Sequence, residues 1–372
     1  MRSALLLMGA MAALALQDPL SDGIKALDAK DYPAAVAAFE KLAAAEPENY
    51  AAHFHLGLAQ SLAGNADAAV GHYRKTLELK PALYEAEVNL GLLLFERKDY
   101  AAALPLLESA LRAKPGNAAA SVGVARSLLE LGRLDEAEVA LRKAAEVDAS
   151  QQEVLLDLAQ RWEDAKKPER ALAIYKEFST RPGVAERMGN LMLQLGEASS
   201  AIEQLKAAVK ESPTAANRYA LAIAYLRSKD PASAAAEFEQ AIQLEPRNVE
   251  LRMAYGRLLR DERKIAASAN QFYAAAQIKP DLKEAWSEMS AMLLLLEQYP
   301  QALAGFEKLE ALGDPNPGLH FFKAISLDRM KQFKPAKASY EKFLSLSAGK
   351  FPDEEFKARQ RIRVLEKEIA RR

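Results

Sequence analysis

Proline returns at a fixed interval along this chain, and that interval constrains the fold more than any other feature. Pro47, Pro81 and Pro115 follow one another 34 residues apart, and the series resumes at Pro213, Pro246 and Pro280. A period of this length marks a repeated supersecondary unit, not one large core. Aligning on the prolines brings other positions into line. Leu56-Gly57, Leu90-Gly91 and Tyr255-Gly256 put a small residue at one register. Ala35, Ala69, Ala103, Ala234 and Ala302 put an alanine at another, each followed four residues later by Phe39, Tyr73, Leu107, Phe238 and Phe306. Four residues is one helical turn, so the small and the large side chain share a face.

With these positions the chain resembles the tetratricopeptide-repeat family. Trp286 stands at that signature's Trp position and Tyr225 at its Tyr position, and Leu90 to Pro115 (LGLLLFERKDYAAALPLLESALRAKP) carries most of the pattern unbroken. The resemblance implies an all-α fold, a right-handed α-solenoid of about ten helix-turn-helix repeats, here from Asp18 to about residue 350. Gly64-Asn65, Lys98-Asp99, Gly132-Arg133 and Lys229-Asp230 mark the turn inside a repeat, and proline stops its second helix. A lone helix pair cannot bury its apolar face, so neighbours stack and the ends need caps. Residues 351–372 leave the pattern. They start a helix at Pro352-Asp353-Glu354-Glu355 and place Ala358, Ile362, Leu365 and Ile369 on one stripe, as a capping helix does. A coiled-coil arm would need more heptads than this segment holds.

One repeat, near residues 152–181, is short. Ala159 and Gly189 are 30 residues apart, as are Ala171 and Ala201. The joint contains Arg181-Pro182-Gly183, which reads either as a tightened turn or as a hinge between two sub-arrays.

Composition narrows the function classes. Alanine and leucine supply most of the 50% hydrophobic content, and aromatics are 7%. Lys plus Arg number 50 against 51 Asp plus Glu, a net charge of -1, without the basic surplus with which nucleic-acid binders release phosphate counterions. There is no cysteine, so no disulfide, thiolate nucleophile, thiolate-bound metal or amino-terminal lipid anchor forms. Residues 1–17 carry one early charge, Arg2, then a run of about thirteen apolar or small residues from Ala4 that contains Ala13-Leu14-Ala15 near its end, before Gln17. This is the pattern of a cleavable signal peptide, and it leads to an exported, periplasmic or extracellular protein that is not a lipoprotein. The other readings of the stretch are an uncleaved anchor or an additional apolar helix.

Catalytic chemistry is not expected. His53 and His55 form H-x-H, but residues two apart on a helix diverge, whereas helical metal pairs stand three or four apart. His53 and His320 fall at the Trp-type position of their repeats, which favours packing, and His72 is isolated on a second helix. No phosphate loop, nucleophile elbow or dinucleotide fingerprint occurs. Carboxylate pairs such as Asp135-Glu136 read as helix-start charges. The basic residues Lys357, Arg359, Arg361 and Arg363 alternate with acids, as on a solvated face. No cofactor, metal, small-molecule substrate or nucleic acid is expected.

The resemblance implies a different kind of site. In the family the first helix of each repeat lines a concave groove. Carried over residue by residue, its lining in the N-terminal half is Phe54, Leu58, Val88, Leu92, Phe95, Val122, Leu129 and Leu156, an apolar set suited to a peptide or helix. In the C-terminal half it is Glu186, Asn190, Tyr219, Ile223, Arg227, Met253, Arg257 and Arg260, a mixed set with three arginines able to pair carboxylates. The Lys/Asn clamp that binds acidic chaperone tails is missing, because Phe54, Leu58, Asn89, Ala119 and Gly123 stand at its positions and only Asn89 agrees. The expectation is a non-catalytic scaffold that binds a protein or peptide partner in envelope or periplasmic assembly. The alternatives are a scaffold for polysaccharide export or an accessory subunit of an envelope enzyme.

Overall fold

The computed structural model describes residues 18–371, so the expected leader lies outside the described residues. These form an α-solenoid of consecutive helix-turn-helix pairs, with 21 α-helices, one 3-10 turn and no strand among them. The described residues divide into two compact units, with the break between Ile174 and Tyr175.

The first unit contains α1 (Pro19–Asp28), α2 (Tyr32–Ala45), α3 (Tyr50–Leu62), α4 (Ala66–Leu79), α5 (Tyr84–Glu96), α6 (Tyr100–Ala113), α7 (Ala118–Glu130) and α8 (Leu134–Val147). A 3-10 turn over Ala149–Glu153, α9 (Val154–Asp164) and most of α10 (Pro168–Glu177) complete it. The second unit runs α11 (Val184–Gln194), α12 (Ala198–Glu211), α13 (Ala215–Arg227), α14 (Pro231–Leu244), α15 (Val249–Asp261) and α16 (Ile265–Ile278). It ends with α17 (Lys283–Leu295), α18 (Tyr299–Ala311), α19 (Gly318–Arg329), α20 (Phe333–Ser347) and α21 (Pro352–Ala370). Each odd-numbered helix from α1 to α7, and from α11 to α19, packs on the even-numbered helix after it.

The turn inside each repeat is the same device throughout. One residue per turn is left-handed: Lys30, Gly64, Lys98, Gly132 and Lys166 in the first unit, Gly196, Lys229, Arg263, Glu297 and Lys331 in the second. The next residue's N–H reaches back to a carbonyl of the last helical turn, as in Asn65 N to Gln60 O (2.8 Å) and Asp230 N to Tyr225 O (2.9 Å). This is the Schellman closure, which satisfies carbonyls that the helix end leaves orphaned. That same next residue then starts the second helix. Asp31, Asp99 and Asp230 each accept a backbone N–H of the first turn with the side chain.

Within a pair, the two registers read from the sequence meet in the core. Ala35, Ala69, Ala103, Ala234 and Ala302 are fully buried, and beside them lie Phe39, Tyr73, Leu107, Phe238 and Phe306. Between pairs, the Trp-type position ties down the proline turn. Trp286 Nε1 donates to Pro280 O (3.0 Å), Arg252 Nε to Pro246 O (2.8 Å), and His53 Nε2 contacts Pro47 O at 2.9 Å. His53 thus closes a turn, and its other nitrogen lies against the ring of His72.

The short repeat has a local origin. Helix α10 has 10 residues where α2, α4, α6, α8, α12, α14 and α16 have 14, so one helical turn is missing. In the connection to α11, Arg181 N bonds Phe178 O (2.8 Å), Gly183 is left-handed (φ 75°), and its N–H donates to Glu211 Oε1 (3.0 Å). At the C-terminal end α21 buries Ala358 and Leu365 among Phe321, Leu327, Tyr340 and Phe343, with Ile362 at the margin. Arg361 forks onto Asp328 of α19 at 2.6 and 2.8 Å.

Candidate functional site

The first-helix face of the first unit is built by α3, α5, α7 and α9. Phe54 and Leu58 on α3 are half-buried, Phe54 leaning on the rings of His55 and Tyr73. Leu92 and Phe95 on α5 and Val122 on α7 come together around a cavity of about 330 Å³. Its remaining walls are Ala118, Ala119 and Gly123, and Glu96, Asp148 and Gln151 supply the polar groups. Leu156 on α9 is half-buried and stands outside this cavity.

Two expected lining residues belong to the core instead. Val88 is 9% exposed and Leu129 3% exposed. Both sit where the groove face meets the packing seam of their helix, and there side-chain size and the neighbouring helix decide the direction. Asn89, the one residue in agreement with the chaperone clamp, is spent within the chain as a hydrogen-bond partner of Tyr73. Burial pushes the Tyr73 hydroxyl up to about 12, against the opposing effect of that bond.

In the second unit each expected arginine already has a partner within the chain. Arg257 Nη2 pairs with Glu284 Oε1 at 2.6 Å, and Arg260 Nη1 forks onto Glu288 at 2.8 and 3.0 Å while its Nε bonds Asp261. Arg227 Nη1 donates to the carbonyl of Leu193 on α11, and Tyr219 Oη donates to Glu250 Oε1 at 3.3 Å. The tyrosine and all three arginines therefore stitch one first helix to its neighbour along this face. Met253 is buried and belongs to the core.

Sequence reasoning missed an apolar site further along. Ser287, Ala291, Leu294 and Leu295 of α17, with Phe306, Leu319 and Phe322, border a cavity of about 270 Å³ in which Leu295 is 66% exposed. The signal was available, because Ser287, Ala291 and Leu294 lie one 34-residue period after Met253, Arg257 and Arg260. Within the second unit the face thus passes from self-paired charge to apolar.

The electrostatics are those of a packed scaffold. Hydrogen bonds from Lys323 and Lys342 hold Glu310 at about 2, and burial lowers His55, His72 and His320. Among the described residues no group of three or more His, Asp or Glu side chains is placed to hold a metal ion, and no helix is long and apolar enough to cross a membrane.

Residues 94–161 match one sequence profile described as Tetratricopeptide repeat, and residues 22–84, 63–118, 186–235 and 219–283 match a second of the same description that alone covers more than half the chain. The chain is similar to the human Protein O-mannosyl-transferase TMTC1, 25% identical over 222 residues, which are 57% of this chain and 25% of that protein. It is also similar to the Type IV pilus assembly protein PilF of Pseudomonas aeruginosa, 24% identical over 160 residues, 42% of this chain and 64% of that one. It therefore spans less than two thirds of either relative. Among solved structures it is similar to MamA from MSR-1, with 24% identity, 47% of this chain and 95% of that chain covered, and a TM-score of 0.39. It also resembles the C-terminal part of a TPR repeat-containing protein from Cytophaga hutchinsonii, with 13% identity, coverages of 57% and 88%, and a TM-score of 0.48.

Proposed function

The chain belongs to the tetratricopeptide-repeat family, and on that premise we propose that it is a non-catalytic scaffold. In this reading the first-helix face of α3, α5 and α7 holds an extended or helical segment of a partner protein. Proteins of this family generally mediate protein–protein interaction, and helix-in-groove recognition needs apolar anchors spaced along a face. The observation that carries the reading is the convergence of Leu92, Phe95 and Val122 on one cavity, with Leu58 and Phe54 further along the same face.

The setting we propose is the cell envelope, with the chain exported to the periplasm or beyond. The amino-terminal leader pattern supports it, as does similarity to a protein whose name places it in type IV pilus assembly. A polysaccharide-binding role would rest on Tyr219, Arg227, Arg257 and Arg260, and those groups are engaged by their own chain.

Affinity capture from an envelope fraction tests the proposal, comparing the natural chain with a Leu58→Glu/Leu92→Glu variant of equal melting temperature. Loss of the captured proteins in the variant is expected. An unchanged capture profile contradicts the groove.

A further inference from the structure

The cavity on α5 and α7 owes its polar edge to a break in the repeat pattern. In α3, α7 and α15 an asparagine starts the first helix, and Asn49, Asn117 and Asn248 each accept a backbone N–H two or three residues on. Between α8 and α9, Ala149 stands where a closing proline stands in other repeats, the chain takes its 3-10 turn, and Gln151 occupies the capping register. With one methylene more than asparagine, its side chain caps nothing. Nε2 donates to Asp148 Oδ2 (2.9 Å) and Ser150 Oγ (3.0 Å), while Oε1 is buried without a hydrogen-bond partner, in a residue only 6% exposed. An acceptor left dry and unpaired is unfavourable, and a donor arriving from a ligand relieves it.

The charges around the cavity favour the same class of ligand. Glu96 and Asp148 both border it, and neither forms an ion pair within 4.0 Å among the described residues. Arg126, exposed on α7, is the basic group near Asp148. The apolar wall beside these acceptors is Leu92, Phe95 and Val122.

We propose that this cavity receives a lysine or arginine side chain of the partner segment, next to an apolar side chain seated on Leu92, Phe95 and Val122. Lysine and arginine are donors only, so they match the side-chain groups at this rim, the carboxylates of Glu96 and Asp148 and the Gln151 carbonyl. Their methylene stems lie along apolar wall while the charged head stays at the rim. This polarity is the reverse of a clamp for acidic tails. The inference rests on the groove reading above.

The test is selection of random dodecapeptides displayed on phage against the full chain, counter-selected on Leu92→Glu. The expected consensus places Lys or Arg within a few positions of Leu, Ile or Phe. By fluorescence polarisation, the selected peptide binds about tenfold more weakly to Gln151→Met or Asp148→Asn, about 1.4 kcal/mol. Asparagine at 148 keeps the acceptor for Ser150 N, which preserves the turn. An acidic or uncharged consensus that is still lost on Leu92→Glu overturns the basic preference and leaves the groove reading standing. Failure to enrich any sequence over Leu92→Glu overturns both.

Discussion

Gly91 and Leu107 occupy one space, for a Cβ built on Gly91 stands 2.7 Å from Leu107 Cγ and Cδ2. Leu107 is fully buried and is pinned from its other side by Gly123, where a Cβ meets Cδ1 at 2.7 Å. The leucine has nowhere to go. Gly91→Ala therefore overpacks the α5–α6 pair, and the clash outweighs the roughly 1 kcal/mol that alanine gains in helix propensity. A net loss of about 1–2 kcal/mol is expected in urea unfolding. Gly116→Ala, where a Cβ meets nothing within 4 Å, is the control and leaves the midpoint in place.

The left-handed turn residues make a second prediction. Lys98 holds φ 63° at a position that Gly132 fills one repeat later with φ 71°. Left-handed backbone strains any residue with a Cβ. Lys98→Gly is expected to raise stability by up to about 1 kcal/mol and Gly132→Ala to lower it by a similar amount. Thermal unfolding of the two variants in parallel reads the opposite signs.

Acid weakens the chain in two separate windows. Burial lowers His55, His72 and His320 below 6.5, so the unfolded chain binds more protons than the folded one and stability falls as pH drops beneath 6.5. Glu310, held at about 2, contributes stability above its usual 4.5 that is lost as pH falls from there toward 2. Urea midpoints at pH 7.5, 5.5 and 3.5 read both steps. His55→Gln/His72→Gln/His320→Gln reduces the first step and Glu310→Gln the second.

The arginines of the second unit are expected to matter little for partner capture. Arg260→Ala removes a fork between partly exposed side chains, 34% and 23% exposed, and costs at most about 1 kcal/mol. The loss shrinks in high salt. Partner capture by this variant is expected to match that of the natural chain.

The repeat architecture was legible because period, small residues and prolines recur at registers set by local geometry. Which lining residues stay free was less legible. Phe95 borders the cavity, while Leu129, one period later, is buried, because the first-helix face and the packing seam adjoin at that register. The partners of Arg257 and Arg260 lie 27 and 28 residues downstream, a spacing that only the stacking of successive first helices makes close. A search for acids at that offset finds them. The left-handed lysines carry no glycine to announce them, and the pocket at Gln151 arises where the pattern breaks.

Site-specific photocrosslinking in the producing cell tests most directly which face takes the partner. A benzophenone side chain is placed at Val122, inside the cavity, or at Val139 on the second helix α8, which is 57% exposed. The account predicts partner adducts from position 122 and not from position 139. Adducts from 139 alone, or equally from both, contradict it.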